Sequence, residues 1–236
     1  MQGDSSVTRR PLLAPSAVAE VNSNEIPKVI DADDLAAIKE GYEFGAAVMN
    51  HAGFDGVEIN AGQGSLLRQF LSGLTNFRGD EYGGSLENKC RLAVEVLQAA
   101  RAVIGDNKIL GLRMCADEYA PWGGIQPAEA KELVKYITDR VAVDYVAFEN
   151  GSIFTTNMTW AGSNQPEDYA LAAAREAGSD ISYIRQCVGG SLVSCRMIAK
   201  ALEDFPLVDI TRALIADPQF LEKIKAGNEK AIVPCI

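Results

Sequence analysis

GFDGVEINAGQGSLLRQFLSGLTNFRGDEYGGSLE, residues 53–87, decides the fold. Residues 54–60 carry the apolar pattern of a short buried strand. That strand ends in a run of small and polar residues, then a long, Gly-rich, charged loop that leads into a helix. In a barrel of alternating strands and helices, chemistry is carried at the C-terminal ends of the strands. The stretch is therefore framed as a site, yet it holds no histidine or cysteine.

Outward from this stretch the chain alternates strand and helix, which is the signature of a parallel α/β sheet. Residues 1–30 carry Pro11, Pro15 and Pro27 and read as an irregular lead-in. Helical spacing behind an acidic first turn covers 31–51, and a second helix covers 87–104. Strands are expected at 109–114, 143–148, 183–188 and 207–211. Helices are expected at 127–140, 166–177, 192–202 and 217–226. The weakest of these is 183–188, YIRQCV, which reads equally well as a helix end.

About five strands, each followed by a helix, suit either an open doubly wound sheet or part of an eight-fold barrel. Polar residues follow every strand on its C-terminal side, as on the functional face of a barrel. No G-x-G-x-x-G opens a helix directly after a strand, which weakens a dinucleotide-binding sheet. The expected fold class is α/β, a partial (β/α)8 TIM barrel. Its domain would span 1–236, with one helix and five βα units after the lead-in.

The chain has 236 residues, 47% hydrophobic and 23% charged, ordinary for a globular protein. A formal charge of −10 argues against nucleic acid as a partner. No apolar run of about 18 residues occurs, so no membrane span is expected, and no secretory signal opens the chain. Cytoplasm is the default compartment. The cysteine count is 5, without C-x-x-C spacing, and reads as reduced thiols. His51, the only histidine, falls at a helix end, so no His-based catalysis or metal site is expected.

Several blocks occur in one order along the chain: APSAV (14–18), AGFDGVEI (52–59), LLRQFLS (66–72), TNFRGDEYGGSLENKCR (75–91), GLRMCADE (111–118), RALIADPQF (212–220) and PCI (234–236). In these the chain resembles the flavin-dependent barrel oxidoreductases of the Old Yellow Enzyme and 2,4-dienoyl-CoA reductase group. The resemblance implies a complete barrel of eight strands, of which this chain would hold the fourth to the eighth. It also implies FMN as cofactor and NAD(P)H as donor. Larger members continue with a cysteine cluster for a [4Fe–4S] centre. Cys235 would be its first ligand, in a full-length form only, since a cluster needs four thiolates.

Residue by residue, the resemblance makes Arg113 the cation beside the flavin ring, where negative charge gathers on reduction. The plainer reading pairs Arg113 with Asp117 or Glu118. Gly189 and Gly190, before Ser191, and Arg212 would hold the FMN phosphate, since a Gly-rich turn and an arginine fork suit a dianion. Relatives usually have Gly-Arg where this chain has Thr211-Arg212. Relatives also place His-x-x-His or His-x-x-Asn and then Tyr after the fourth strand, where this chain has Asn60, Gln63 and Ser65. Asn and Gln amides still donate to an oxyanion. Ser65 is a much poorer acid than a phenol, which leaves Tyr119 and, less so, Tyr82 as other donors. Glu149, Asn150, Thr155, Trp122 and Trp160 are candidate pocket walls.

The first functional reading is an FMN-dependent oxidoreductase moving hydride between a nicotinamide donor and a small organic substrate. The second is a truncated, non-catalytic half-barrel that works only in a larger assembly, with the missing half or a second copy as partner. A non-flavin aldolase-like barrel ranks last, because the sequence places no lysine and no His/Asp/Glu cluster at the strand ends.

Overall fold

The computed structural model describes residues 5–160, 162, 165, 166 and 168–235. A one-turn helix α1 (Ser5–Thr8) opens the chain, followed by a parallel pair β1 (Leu13–Ala14) and β2 (Lys28–Val29). This small ladder orders the lead-in, which the proline pattern alone had left irregular. Helix α2 (Ala32–His51) starts at Asp31, whose carboxylate accepts from Asp34 N at 3.0 Å while Asp34 answers on Asp31 N at 3.0 Å. That reciprocal cap satisfies two backbone donors that the first turn leaves without partners.

The main unit then runs β3 (Gly56–Ala61), α3 (Leu66–Leu71), α4 (Leu86–Ile104), β4 (Ile109–Asp117), α5 (Pro127–Thr138) and β5 (Tyr145–Asn150). After a short α6 (Thr156–Thr159) come α7 (Tyr169–Gly178), β6 (Arg185–Val188), α8 (Cys195–Ala201) and β7 (Leu207–Val208). Two helices close it, α9 (Arg212–Ala216) and α10 (Phe220–Lys225), where the sequence suggested one over 217–226. Asp217 separates them, its carboxylate accepting from Gln219 N and Val233 N. The short helix α3 was not foreseen.

β3 to β7 form one five-stranded sheet, every pair parallel and the strands in chain order. A doubly wound sheet reverses its strand order at a switch point. Here the order never reverses, so the right-handed connections lay the helices on one side. α2, α4, α5 and α7 indeed neighbour one another in series. The result is an arc of a (β/α)8 barrel with β3 and β7 as its edges.

Strand alternation sorts the side chains. Leu110, Leu112, Met114, Val146, Phe148 and Val188 face the helices and form the core with Leu92, Val96, Leu133, Val134 and Ala174. The opposite, inner face carries Glu58, Asn60, Arg113, Cys115, Glu149 and Cys187. Cys90 packs in the core, as its helical position suggested, and His51 is exposed at the end of α2.

A charged pair lies inside this frame. Arg68 of α3 is 1% exposed and Glu118, just past β4, is 0% exposed, and they form an ion pair. Glu118 also accepts from Ser72 Oγ and from Ile125 N at 2.8 Å. Removing one partner strands the other charge, which typically costs about 3–5 kcal/mol. Arg68→Leu is therefore expected to lower unfolding free energy by roughly that amount. Urea titration checks it; a loss under about 1 kcal/mol would mean that Glu118 does not depend on the pair.

Candidate functional site

The C-terminal end of the sheet gathers four charged side chains. Arg113 Nε donates to Glu58 Oε1 at 2.7 Å, its Nη2 lies 2.9 Å from Asp209 Oδ2, and its Nη1 lies 3.6 Å from Glu149 Oε2. Tyr145 Oη donates to Glu58 Oε2 at 2.8 Å. One cation thus serves carboxylates from β3, β5 and the residue after β7. The sequence reading had placed no such cluster at the strand ends, because its members lie up to about 150 residues apart and only the sheet register aligns them. Arg113 pairs with neither Asp117, which accepts from Tyr119 N, nor Glu118, which belongs to Arg68.

Charge decides the state of this cluster. Burial acts to lower the Arg113 pKa, but the Glu58 hydrogen bond and charge, with Glu149 and Asp209, raise it well above the ordinary arginine value. Burial raises the Glu149 carboxyl, against the lowering by the Gln63 N–H and Arg113. Two like charges about 4 Å apart repel by about 4 kcal/mol at an effective dielectric of 20. Glu58 adds to burial in raising Glu149, which of the three carboxylates also stands farthest from the guanidinium.

A cavity of about 230 Å³ opens at this end, and its lining includes Gln63, Arg113, Glu149, Gly190, Asp209 and Arg212. Arg113 and Arg212 thus share one cavity, with Gly189, Ser191 and Trp160 also on its wall. The turn at 189–191 is strained in the way glycine relieves: φ is +122° at Gly190, and a Cβ there would meet Ala170 Cβ at 3.0 Å. Ser191 follows at φ +56°. The close approach of α7 thus requires glycine at 190, and the 189–191 backbone lies on the cavity wall.

The expected acid–base trio separates. Gln63 lines the cavity, and its backbone N–H donates to Glu149 Oε1. Asn60 is exposed, with Oδ1 accepting from Gly62 N at 2.8 Å. Ser65 is 9% exposed and caps α3: its Oγ accepts from Arg68 N at 3.0 Å and donates to Gly62 O at 2.8 Å. At the position where the resemblance places a catalytic hydroxyl, this side chain is thus engaged as a helix cap.

Tyr82 is buried against Glu95, as its place in the loop suggested, and Tyr119 Oη donates to Tyr169 O at 2.9 Å. Thr155 Oγ1 is engaged on the Glu118 carbonyl, and Trp122 is 67% exposed, apart from the cavity lining. Asn150 does line the cavity. Cys235 is half-buried, and no group of three or more His, Cys, Asp or Glu that could hold a metal occurs among the described residues. Cys115 and Cys187, on the inner face, are buried, and burial pushes their thiols up to about 12 and about 11.

Arc and rim together define a β/α-barrel protein with a cavity at its strand ends that two arginines line. Residues 4–231 match the NADH:flavin oxidoreductase / NADH oxidase family, and the chain belongs to that family. It is 32% identical over 232 residues to an N,N-dimethylglycine/sarcosine dehydrogenase of Chromohalobacter salexigens, covering 95% of this chain and 33% of that protein. Identity is 38% over 211 residues to an NADPH dehydrogenase of Clostridium acetobutylicum, with 89% of this chain and 60% of the relative covered. The solved structure of a 2-naphthoyl-CoA reductase with 2-naphthoyl-CoA superposes with a TM-score of 0.87 at 25% identity, over 95% of this chain and 34% of that one. The chain therefore spans about a third to three fifths of the length of these relatives. No described helix is long and apolar enough to cross a membrane.

Two expectations follow. A Cβ at Gly62 would overlap the Glu149 carboxylate. Gly62→Ala should cost at the low end of the about 1–3 kcal/mol of overpacking, since the end of the Glu149 side chain can give way. A double-mutant cycle with Glu149→Ala should return most of that loss, whereas strict additivity would separate the two sites. The raised Glu149 pKa also has a signed consequence. Its contribution is full below the ordinary glutamate range and is lost as pH rises through the folded value. Glu149→Gln should therefore narrow the stability difference between about pH 5 and pH 8 in denaturation curves; an unchanged difference would contradict the assignment.

Proposed function

We propose that this chain carries the phosphate-and-rim part of an FMN site and that the protein moves hydride between a nicotinamide donor and a small organic substrate. The observation that carries this reading is the shared cavity of Arg113, Arg212 and the glycine turn at 189–191. The Gly-rich backbone at 189–191 lies on the cavity wall, which suits a phosphate held by backbone N–H groups. FMN supplies, when bound, the two-electron exchange that no side chain here offers.

The chain's own residues bind and orient. Arg212 and the glycine turn hold the phosphate. Arg113 presents a fixed cation, locked by Glu58 and Asp209, so it costs little reorganisation when charge develops nearby. The Gln63 side-chain amide offers an N–H to a substrate oxygen, and Asn60 keeps its amide nitrogen for the same purpose while its oxygen serves Gly62. A second reading, function only within a larger assembly, is favoured by the two open edges β3 and β7 and by the polar inner face.

Titration of the purified chain with FMN and with riboflavin, followed by flavin absorbance, tests the first reading. Both should bind, FMN more tightly. Arg212→Ala should weaken FMN by about 10- to 100-fold, the worth of a charge-assisted hydrogen bond, and leave riboflavin nearly unchanged. Equal loss for both flavins, or no binding at all, would remove the phosphate assignment.

A further inference from the structure

Glu149 is the one carboxyl that combines three features. It is the next-to-last residue of β5 and lies on the inner face, it lines the cavity, and the loop after β3 folds directly over it. Gly62 is there because any side chain would collide with this carboxyl. Oε1 is anchored by the Gln63 backbone N–H, while Oε2 stands 3.6 Å from Arg113 Nη1, beyond hydrogen-bond reach. Glu58 and Asp209 hold the Arg113 guanidinium at 2.7 and 2.9 Å.

We propose that Glu149 is the proton donor to substrate in this cavity. The inference rests on the flavin reading above. In the reduction of an activated alkene, the β-carbon receives a hydride from the reduced flavin and the α-carbon receives the proton on Glu149. One C=C π bond is replaced by two C–H bonds. Oxidised flavin and the Glu149 carboxylate remain, and solvent reprotonates the carboxylate. The Gln63 N–H and Arg113 stabilise the anion left behind. Ser65, capping α3, takes no part.

Every element packed around Glu149 brings a group that bears on its proton. Glu58 comes from β3, Arg68 from α3, Arg113 and Cys115 from β4, and Asp209 from the loop after β7. Arg68 is paired with Glu118, and the Cys115 thiol is pushed up to about 12 and stays neutral. Arg113 and Arg212 on the cavity wall favour the carboxylate, while the better-paired Glu58 and Asp209 favour a proton on Glu149. Burial acts in the same direction.

Infrared difference titration of the purified chain reads this proton without any flavin. A carbonyl band of a protonated carboxyl should persist above the ordinary glutamate value of about 4.3 and vanish in Glu149→Gln. In the flavin-loaded protein, Glu149→Gln should slow alkene reduction by about 10²- to 10⁴-fold, and slow flavin reduction by the nicotinamide much less. Glu149→Asp should restore part of the alkene step. A band absent in the wild type, a band unchanged in Glu149→Gln, or equal slowing of both half-reactions would overturn the proposal. A flavin that is neither bound nor reduced in the wild type would overturn the functional reading, and this proposal with it.

Discussion

A single guanidinium ties the inner face together. Arg113 of β4 reaches Glu58 of β3, Glu149 of β5 and Asp209 beyond β7, so side chains far apart in sequence converge on one cation. In a low-dielectric setting such a hub is directional as well as strong, since its fork geometry fixes the approach of each carboxylate. The group that the flavin reading would use as its cation is thus the same one that joins side chains of three separate strands and loops.

Behind the rim a second layer of charge does purely architectural work. Arg68 and Glu118 lock the helix after β3 to the loop after β4. Arg78 pairs with Asp80 and donates to Ile30 O at 2.7 Å, which pins the long charged loop to the lead-in. Tyr82 and Asn76 are likewise used inside the loop, Asn76 Nδ2 donating to Phe70 O and Tyr82 O. Much of the conspicuous polarity of residues 53–87 is consumed in this way. What remains for chemistry is small: Gln63, Asn60, and the carboxyl that the loop covers.

The arc was legible because strand and helix periods differ, and residues such as Leu92, Val96 and Leu112 announce which face they bury. Even 183–188, ambiguous as YIRQCV, resolves as β6 once it has β5 to pair with. Arg113 and Arg212 could be assigned to one cavity because the motifs around them, GLRMCADE and RALIADPQF, carried the resemblance. The carboxylate cluster could not, since Glu58, Glu149 and Asp209 look like ordinary strand-end charges until the register of the sheet is known. Ser65 has a local role that its place in the motif did not announce. Its position matched a reactive one, but the start of a short helix claimed its hydroxyl first.

The sulfur atoms of the inner face carry one more consequence. Thiolates, not thiols, react with peroxides and disulfides. With Cys115 and Cys187 buried and their thiols pushed up to about 12 and about 11, the inner wall offers little thiolate for such reagents to attack.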